Sequence, residues 1–429
     1  MLIFTCSCES GKNALKVLAN DEEVFAVVGS DKAIEKHENK AYLEIVVDEA
    51  VKIISEKEKL SERKAKKELL GGGYTIYTAF NKEMNQKLYE VFGNSDQPKQ
   101  VAAVITDLNA HICGVYSSSD EKNTNFATKV NLPCSALKPL SVYAPAIDNE
   151  TINWFSRYED SPYTYNPDGP WPQNANKYYT EQYIYINKAI KESINTVAVK
   201  CLADYGVENS IKFLEENFNV PLKTEKALME SGGPDAILGN LALGALIDGL
   251  TAVDMAGYYQ IFANGGKYQA PKAILKICNK EGKTIYTSEY SPKQVIKSST
   301  ADIMNQLLKG TVSTGGTGES AKCENVEVAG KTGTDDDFKN NWFVGVTPEY
   351  SCAVWHGQNT TNIAASLFGK IIPAVYSEKT DYIKEFRYTS GIRKVGYCMD
   401  SGKQFKLGCS LIDIGYYEQN NVPEICDMH

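Results

Sequence analysis

Strand-like segments at both ends of a largely helical middle most restrict how this chain folds. "VAAVITDLNAHICGVYSS" (101–118) reads as a hairpin, with two β-rich runs flanking the turn residues Asp107-Leu108-Asn109-Ala110. Strand character returns only near the other end, in "VEVAGKTGT" (326–334), "NWFVGVTP" (341–348) and "YSCAVWHGQ" (350–358). From about 135 to 265 the pattern is mostly helical. The sheet must therefore be assembled from distant segments and covered by the helices between them. The predicted class is α+β, an antiparallel β-sheet flanked by helices with a mostly helical subdomain.

Composition narrows the function. A formal net charge of −9 disfavours nucleic acid as a partner, because phosphate contacts need a basic face. It disfavours electrostatic attachment to a membrane surface for the same reason. No apolar run is long enough to span a bilayer, and "MLIFTCSCESGK" lacks the basic region of a signal peptide. The expectation is that targeting information lies outside this sequence or is not carried. The 11 cysteines are scattered rather than regularly spaced, unlike a small disulfide scaffold.

Residues 1–40 give no assignment. Residues 41–70 carry helical periodicity with a charged second half, and read as a solvated helix leading into the main domain. Gly71-Gly72-Gly73 ends that helix, and "YTIYTAF" alternates as a short strand. The polar, aromatic-rich stretch 157–179 reads as a long loop of the kind that forms a wall of a site.

Gly330-Lys331-Thr332 looks like the end of a phosphate loop, but the reading fails at both ends. A P-loop requires glycine at 325, where Asn325 stands, and a helix after the lysine, where Thr-Gly-Thr-Asp-Asp-Asp follows. The alternative is a strand edge facing a site. Lys331 then presents a cation, Thr332 and Thr334 present hydroxyls, and Gly333 admits a close backbone approach. Such an edge suits a peptide ending in a carboxylate, and Asp335 to Asp337 read as a solvated turn. By itself the motif is common.

Ser-x-x-Lys puts a hydroxyl and an amine on one helix face, where a desolvated lysine can act as the base. It occurs as Ser61/Lys64, Ser119/Lys122 and Ser135/Lys138. The first lies in a highly charged helix and the second in a polar loop. Only Ser135 opens an apolar stretch, expected as a helix, in which Pro139 is tolerated in the first turn. Ser193-Ile194-Asn195 interrupts another helical segment. It reads either as a proton relay with a substrate-binding amide, or simply as an N-cap for the helix that follows. Cys398, Cys409 and Cys426-x-x-His429 could ligate zinc, although the ten and sixteen intervening residues are loose spacings. A disulfide or unlinked thiols is the competing reading.

Ser-x-x-Lys, Ser-x-Asn and Lys-Thr-Gly in this order resemble the set of penicillin-recognising acyl enzymes. "LPCSALKPLSVYAPAID", "AIKESINTVAVK", "TAVDMAGYYQIFANGGKYQAPKAI", "VAGKTGTDDDFKNNWFVGVTPEYSCAVW" and "CDMH" resemble the transpeptidase domain of class A penicillin-binding proteins, from about residue 41 onward. The resemblance implies that Ser135 is the acylated nucleophile and Lys138 its base. Ser193 would relay a proton, Asn195 hold the substrate amide, and Lys331, Thr332, Gly333 and Thr334 receive the terminal carboxylate. The backbone N–H groups of Ser135 and Thr334 would form the oxyanion hole. Implied partners are peptidoglycan stem peptides, β-lactam antibiotics and other cell-wall synthesis proteins, with no cofactor. The implied location is the extracytoplasmic face of the cell membrane, with membrane contact only through an anchor outside this sequence.

The implied organisation is a segment of unassigned role (1–40), a linker helix and leading strand (41–95), the transpeptidase domain (96–385) and a Cys-containing tail (386–429). Two departures from the family stand out. Cys134 replaces the usual glycine before the nucleophile, and no Glu-Asp-x-x-Phe glycosyltransferase signature occurs, as in a transpeptidase-only fragment or shortened relative. Rival readings are a serine β-lactamase, disfavoured by the lack of a Glu-x-x-Leu-Asn string, a D,D-carboxypeptidase, and a non-catalytic muropeptide or β-lactam sensor.

Overall fold

The computed structural model describes residues 13–93, 99–118, 120, 122–166, 169–357 and 363–429. "MLIFTCSCESGK" and Ser119 lie outside the described residues. The fold is α+β, and the 101–118 hairpin and the three late strands join in one five-stranded antiparallel sheet. Ala329–Thr334 forms one edge, followed by Asn341–Val346, Tyr350–His356, Val101–Asp107 and Ile112–Ser117. Alternation along the strands feeds two cores. Val101, Ala103 and Ile105 pack with helices Lys82–Phe92 and Ala364–Tyr376, while Ala102 and Val104 face the larger core with Met255 and Ala256. Each large apolar side chain so buried contributes about 1.5–3 kcal/mol.

A second sheet has the order Thr284–Thr287, Ile274–Cys278, Thr75–Thr78, Leu15–Leu18, Val24–Val28. Two of its strands come from the segment that gave no assignment. They are short and pair with each other, and the pairing of Leu15–Leu18 with Thr75–Thr78 is a non-local contact that local pattern does not encode. Residues 41–70 form two helices, Lys40–Glu58 and Glu62–Gly71, separated at Lys59 in the left-handed region (φ 52°). The solvated-helix reading is corrected for the first of them. Tyr42, Val46, Ala50 and Ile54 are fully buried, and the Tyr42 hydroxyl donates to Ile112 O at 2.9 Å.

The stretch 157–179 is not an unstructured loop. Arg157–Glu159 pairs with Tyr183–Tyr185, and Thr164–Asn166 pairs with Gly169–Trp171. Residues 135–262 otherwise form the mostly helical part, including Ile186–Glu192, Asn195–Tyr205 and Ala252–Tyr259. Among the described residues, no helix is long and apolar enough to cross a membrane.

Candidate active site

Ser135 stands in a tight turn rather than at the head of a regular α-helix. Cys134–Leu137 is a 3₁₀ turn, Pro139–Tyr143 a π-turn and Ala144–Asp148 a short α-helix. Pro139 lacks an N–H and cannot continue an ordinary helical ladder, so the winding changes around it. The turn is fixed from several sides. Cys134 N–H donates to Gly244 O at 2.9 Å, Trp342 Nε1 donates to Leu132 O at 2.8 Å, and the Tyr259 hydroxyl donates to Ala136 O.

Cys134 has φ 52°, a left-handed conformation that glycine adopts without strain. That geometry gives a physical reason for the glycine usual at this position. The thiol is turned inward towards Leu132 O at 3.4 Å and is buried. Burial, with Asp335 and Asp336 nearby, raises its pKa far above the ordinary range, so it stays protonated. Gly244 is required opposite it: a Cβ there would lie 1.8 Å from Cys134 O.

Lys138 is fully buried. Its Nζ donates to Asn195 Oδ1 at 2.6 Å and to Ser193 O at 3.0 Å. Desolvation, then the charge of Lys331, holds its pKa well below the usual lysine value. Ser193 is not an N-cap. It closes helix Ile186–Glu192 in the left-handed region (φ 60°), while Ile194 caps the next helix and Asn195 is its first residue. That bend turns the Ser193 hydroxyl towards Lys331, whose Nζ donates to it at 2.8 Å. Lys331 is also fully buried and its pKa is pushed down to about 7 by desolvation.

The Lys-Thr-Gly strand is the sheet edge. Asp335 N–H donates across to Asn340 O, so by alternation the backbone of Thr334, Thr332 and Gly330 faces away from the sheet. Helix Ser298–Val312 covers part of that edge through Thr311, which donates to Gly330 O. Thr332 Oγ1 donates to Thr317 Oγ1 at 2.8 Å. At Gly333 a Cβ would lie 2.8 Å from Pro133 O and 2.9 Å from Ala136 N, so this strand runs directly against the Ser135 turn. The carboxylate turn is only partly solvated. Asp335 accepts from Asn340 N–H at 2.9 Å and Nδ2 at 2.8 Å, whereas Asp336 and Asp337 are exposed.

Ser135, Lys138, Ser193, Asn195, Lys331, Thr332, Gly333 and Thr334 are thus brought to one locus. Ser61 and Lys64 are exposed at the start of a peripheral helix. Sequence reasoning missed the support behind Asn195. Asn174 Oδ1 accepts from the N–H groups of Asn195 (3.0 Å) and Thr196 (3.4 Å), and Asp160 accepts from Thr196 Oγ1 and Asn174 Nδ2, both at 2.7 Å. Only the polarity of the 157–179 stretch hinted at it. Elsewhere, the ligand atoms of Cys398, Cys409, Cys426 and His429 lie within 4.8 Å of one another, and the three thiols are free rather than disulfide-bonded.

Two buried lysines thus meet at Ser193, beside the turn that carries Ser135 and against the edge of the sheet. Residues 84–372 match the family described as "Penicillin binding protein transpeptidase domain", and the chain belongs to that family. Penicillin-binding protein 1A of Clostridium botulinum (strain Hall) is 30% identical over 373 residues, which is 81% of this chain and 43% of that protein. Penicillin-binding protein 4 of Bacillus subtilis is 28% identical over 353 residues, 76% of this chain and 54% of that protein. The chain spans about half the length of these relatives, or less. The D,D-transpeptidase domain of an Eggerthella lenta peptidoglycan glycosyltransferase superposes with TM-score 0.67 at 16% identity, covering 86% of this chain and 99% of that one. Penicillin-binding protein 1A of Haemophilus influenzae gives 0.70 at 16%, covering 90% and 77%.

Proposed function

We propose that this chain is a peptidoglycan D,D-transpeptidase working through a Ser135 acyl-enzyme, and that β-lactams acylate the same serine. The observation that carries the reading is the buried Lys138 amine, held by Asn195 and Ser193 O and stripped of much of its basicity. A neutral lysine can take the Ser135 proton as Oγ attacks the carbonyl of a D-Ala–D-Ala bond. The tetrahedral oxyanion is received by the N–H groups of Ser135 and Thr334. Such donors contribute about 3–4 kcal/mol each.

Collapse of that intermediate breaks the C–N bond. Ser193, hydrogen-bonded by Lys331, passes a proton to the departing D-Ala amine. The substrate lies along the open edge of Ala329–Thr334 as an added strand, with its terminal carboxylate at Lys331, Thr332 and Thr334. An amine from a second stem peptide then attacks the ester, forms the cross-link and returns the proton to Ser135. The work is done on the extracytoplasmic face of the membrane.

Two solved relatives bear on drug binding. One is a Mycobacterium tuberculosis protein in complex with penicillin V, and the other is an imipenem acyl-enzyme complex of penicillin-binding protein A from that organism. The test is labelling with fluorescent penicillin, followed by intact mass. Wild type should carry one persistent adduct and Ser135→Ala none. Labelling that survives the substitution, or rapid release of hydrolysed drug, would count against the transpeptidase reading.

A further inference from the structure

The sulfurs of Cys398, Cys409 and Cys426 and a ring nitrogen of His429 converge at the hairpin formed by Ile392–Cys398 and Ile412–Glu418. Four residues from three separated stretches bring one ligand atom each to within 4.8 Å of the others. Tetrahedral zinc with thiolate bonds of about 2.3 Å sets sulfurs about 3.8 Å apart, so small side-chain adjustments close the set. We propose that these four residues form a structural Cys₃His zinc site.

The surroundings match that chemistry. His429 Nε2 faces Asp400 Oδ2 at 3.2 Å, so Nδ1 would be the nitrogen that takes the metal while the carboxylate orients the ring. Lys406 N–H points at Cys409 Sγ at 3.5 Å, a donor suited to a thiolate. The backbone already clamps the ligands together: Cys398 N–H donates to Lys403 O at 2.9 Å, and Cys426 N–H to Gln404 O at 2.7 Å. Soft sulfur ligands and a borderline imidazole select zinc over oxygen-seeking cations.

The segment needs such a clasp. Phe405, Leu407, Leu411, Ile425 and Met428 are exposed and no residue of 399–414 is buried, so the loop that carries Cys409 has little apolar core of its own. Where a core is this thin, metal ligation supplies folding free energy directly. The clasp also has something to hold. Met399 O accepts from the Tyr185 hydroxyl, and Asp400 O accepts from Arg157 Nη1 at 3.2 Å. Tyr185 is the residue before helix Ile186–Glu192, which ends in Ser193. Zinc would therefore brace the wall that carries Ser193 and Asn195.

The site is tested on the whole chain, purified under reductant without a histidine tag, by elemental mass spectrometry. About one zinc per chain is expected, falling below about a tenth in a Cys398→Ser/Cys426→Ser variant. Asp400→Ala, which removes only the carboxylate that orients His429, should keep the fold and bind zinc about 10–100-fold more weakly against a chromogenic chelator. Chelation of wild type should expose residues 399–429 to protease, and added zinc should restore protection. Wild type that takes up no zinc from a zinc-containing buffer overturns the proposal. So does a disulfide between two of Cys398, Cys409 and Cys426, read by peptide mapping of protein purified without reductant, or full zinc content in the double variant.

Discussion

Lys138 Nζ lies 2.6 Å from Asn195 Oδ1, joining the Ser-x-x-Lys turn to the Ser-x-Asn bend across 57 residues of sequence. That bond makes the amide a partner of the proposed base, beside its proposed contact with substrate. Lys138→Ala should lower the second-order rate of β-lactam acylation by about 10²–10⁴-fold, the usual worth of a positioned general base. Stopped-flow labelling checks it; a loss under tenfold would point to another base.

Lys331 predicts a pH dependence of opposite sign. As the proposed carboxylate anchor it would act in its charged form, and burial lowers its pKa to about 7. The acylation rate constant of the free enzyme should therefore fall as pH rises through about 7, while the limb governed by Lys138 rises with pH. Lys331→Ala should remove the falling limb and most of the rate. A rate flat from pH 6 to 9 in wild type would remove Lys331 from the anchoring role.

Cys134 occupies a left-handed position beside the proposed nucleophile, buried and protonated. In the native protein its alkylation by iodoacetamide at pH 8 should be far slower than in urea, read by peptide mass mapping. Cys134→Gly should keep acylation, because glycine accepts φ 52° without strain. Loss of labelling in that variant would show that the side chain itself is needed.

Asp335 and Asp336 should behave differently. Asp335→Ala removes the acceptor of two hydrogen bonds from Asn340, and should cost about 1–3 kcal/mol in urea unfolding. Asp336→Asn, at an exposed position, should change neither stability nor acylation.

Glu49 predicts a stability effect away from the site. Burial raises its carboxyl to about 7 from 4.5, outweighing the N–H of Ala273 that it accepts at 2.7 Å. The folded state thus holds a proton that the unfolded state has released between about pH 4.5 and 7. Through that window this group's contribution to stability falls as pH rises. Glu49→Gln should gain about 1–3 kcal/mol over wild type at pH 8 and little at pH 4.5, measured by urea midpoints.

Much of the site was legible because its chemistry is local. Ser135 was separable from Ser61 by the apolar residues around it, and Lys-Thr-Gly from a phosphate loop by Asn325 and the aspartates. The Asp160–Asn174–Thr196 support was not legible, since no local pattern announces which carboxylate meets which amide. Nor was the left-handed bend at Ser193, where an N-cap and a relay predict the same short interruption of a helix.

The sequence by itself determined the segments of the sheet that ends in Lys-Thr-Gly, the helical middle and the residue types of the candidate site, since periodicity and motif spacing are properties of neighbouring residues. Tertiary structure alone decided that Leu15–Leu18 joins a sheet, that Lys40–Glu58 is core, and that two lysines lose their water. Desolvation depends on what the rest of the chain packs around a group. For that reason the basicity of Lys138, on which the proposed chemistry turns, is a property of the fold.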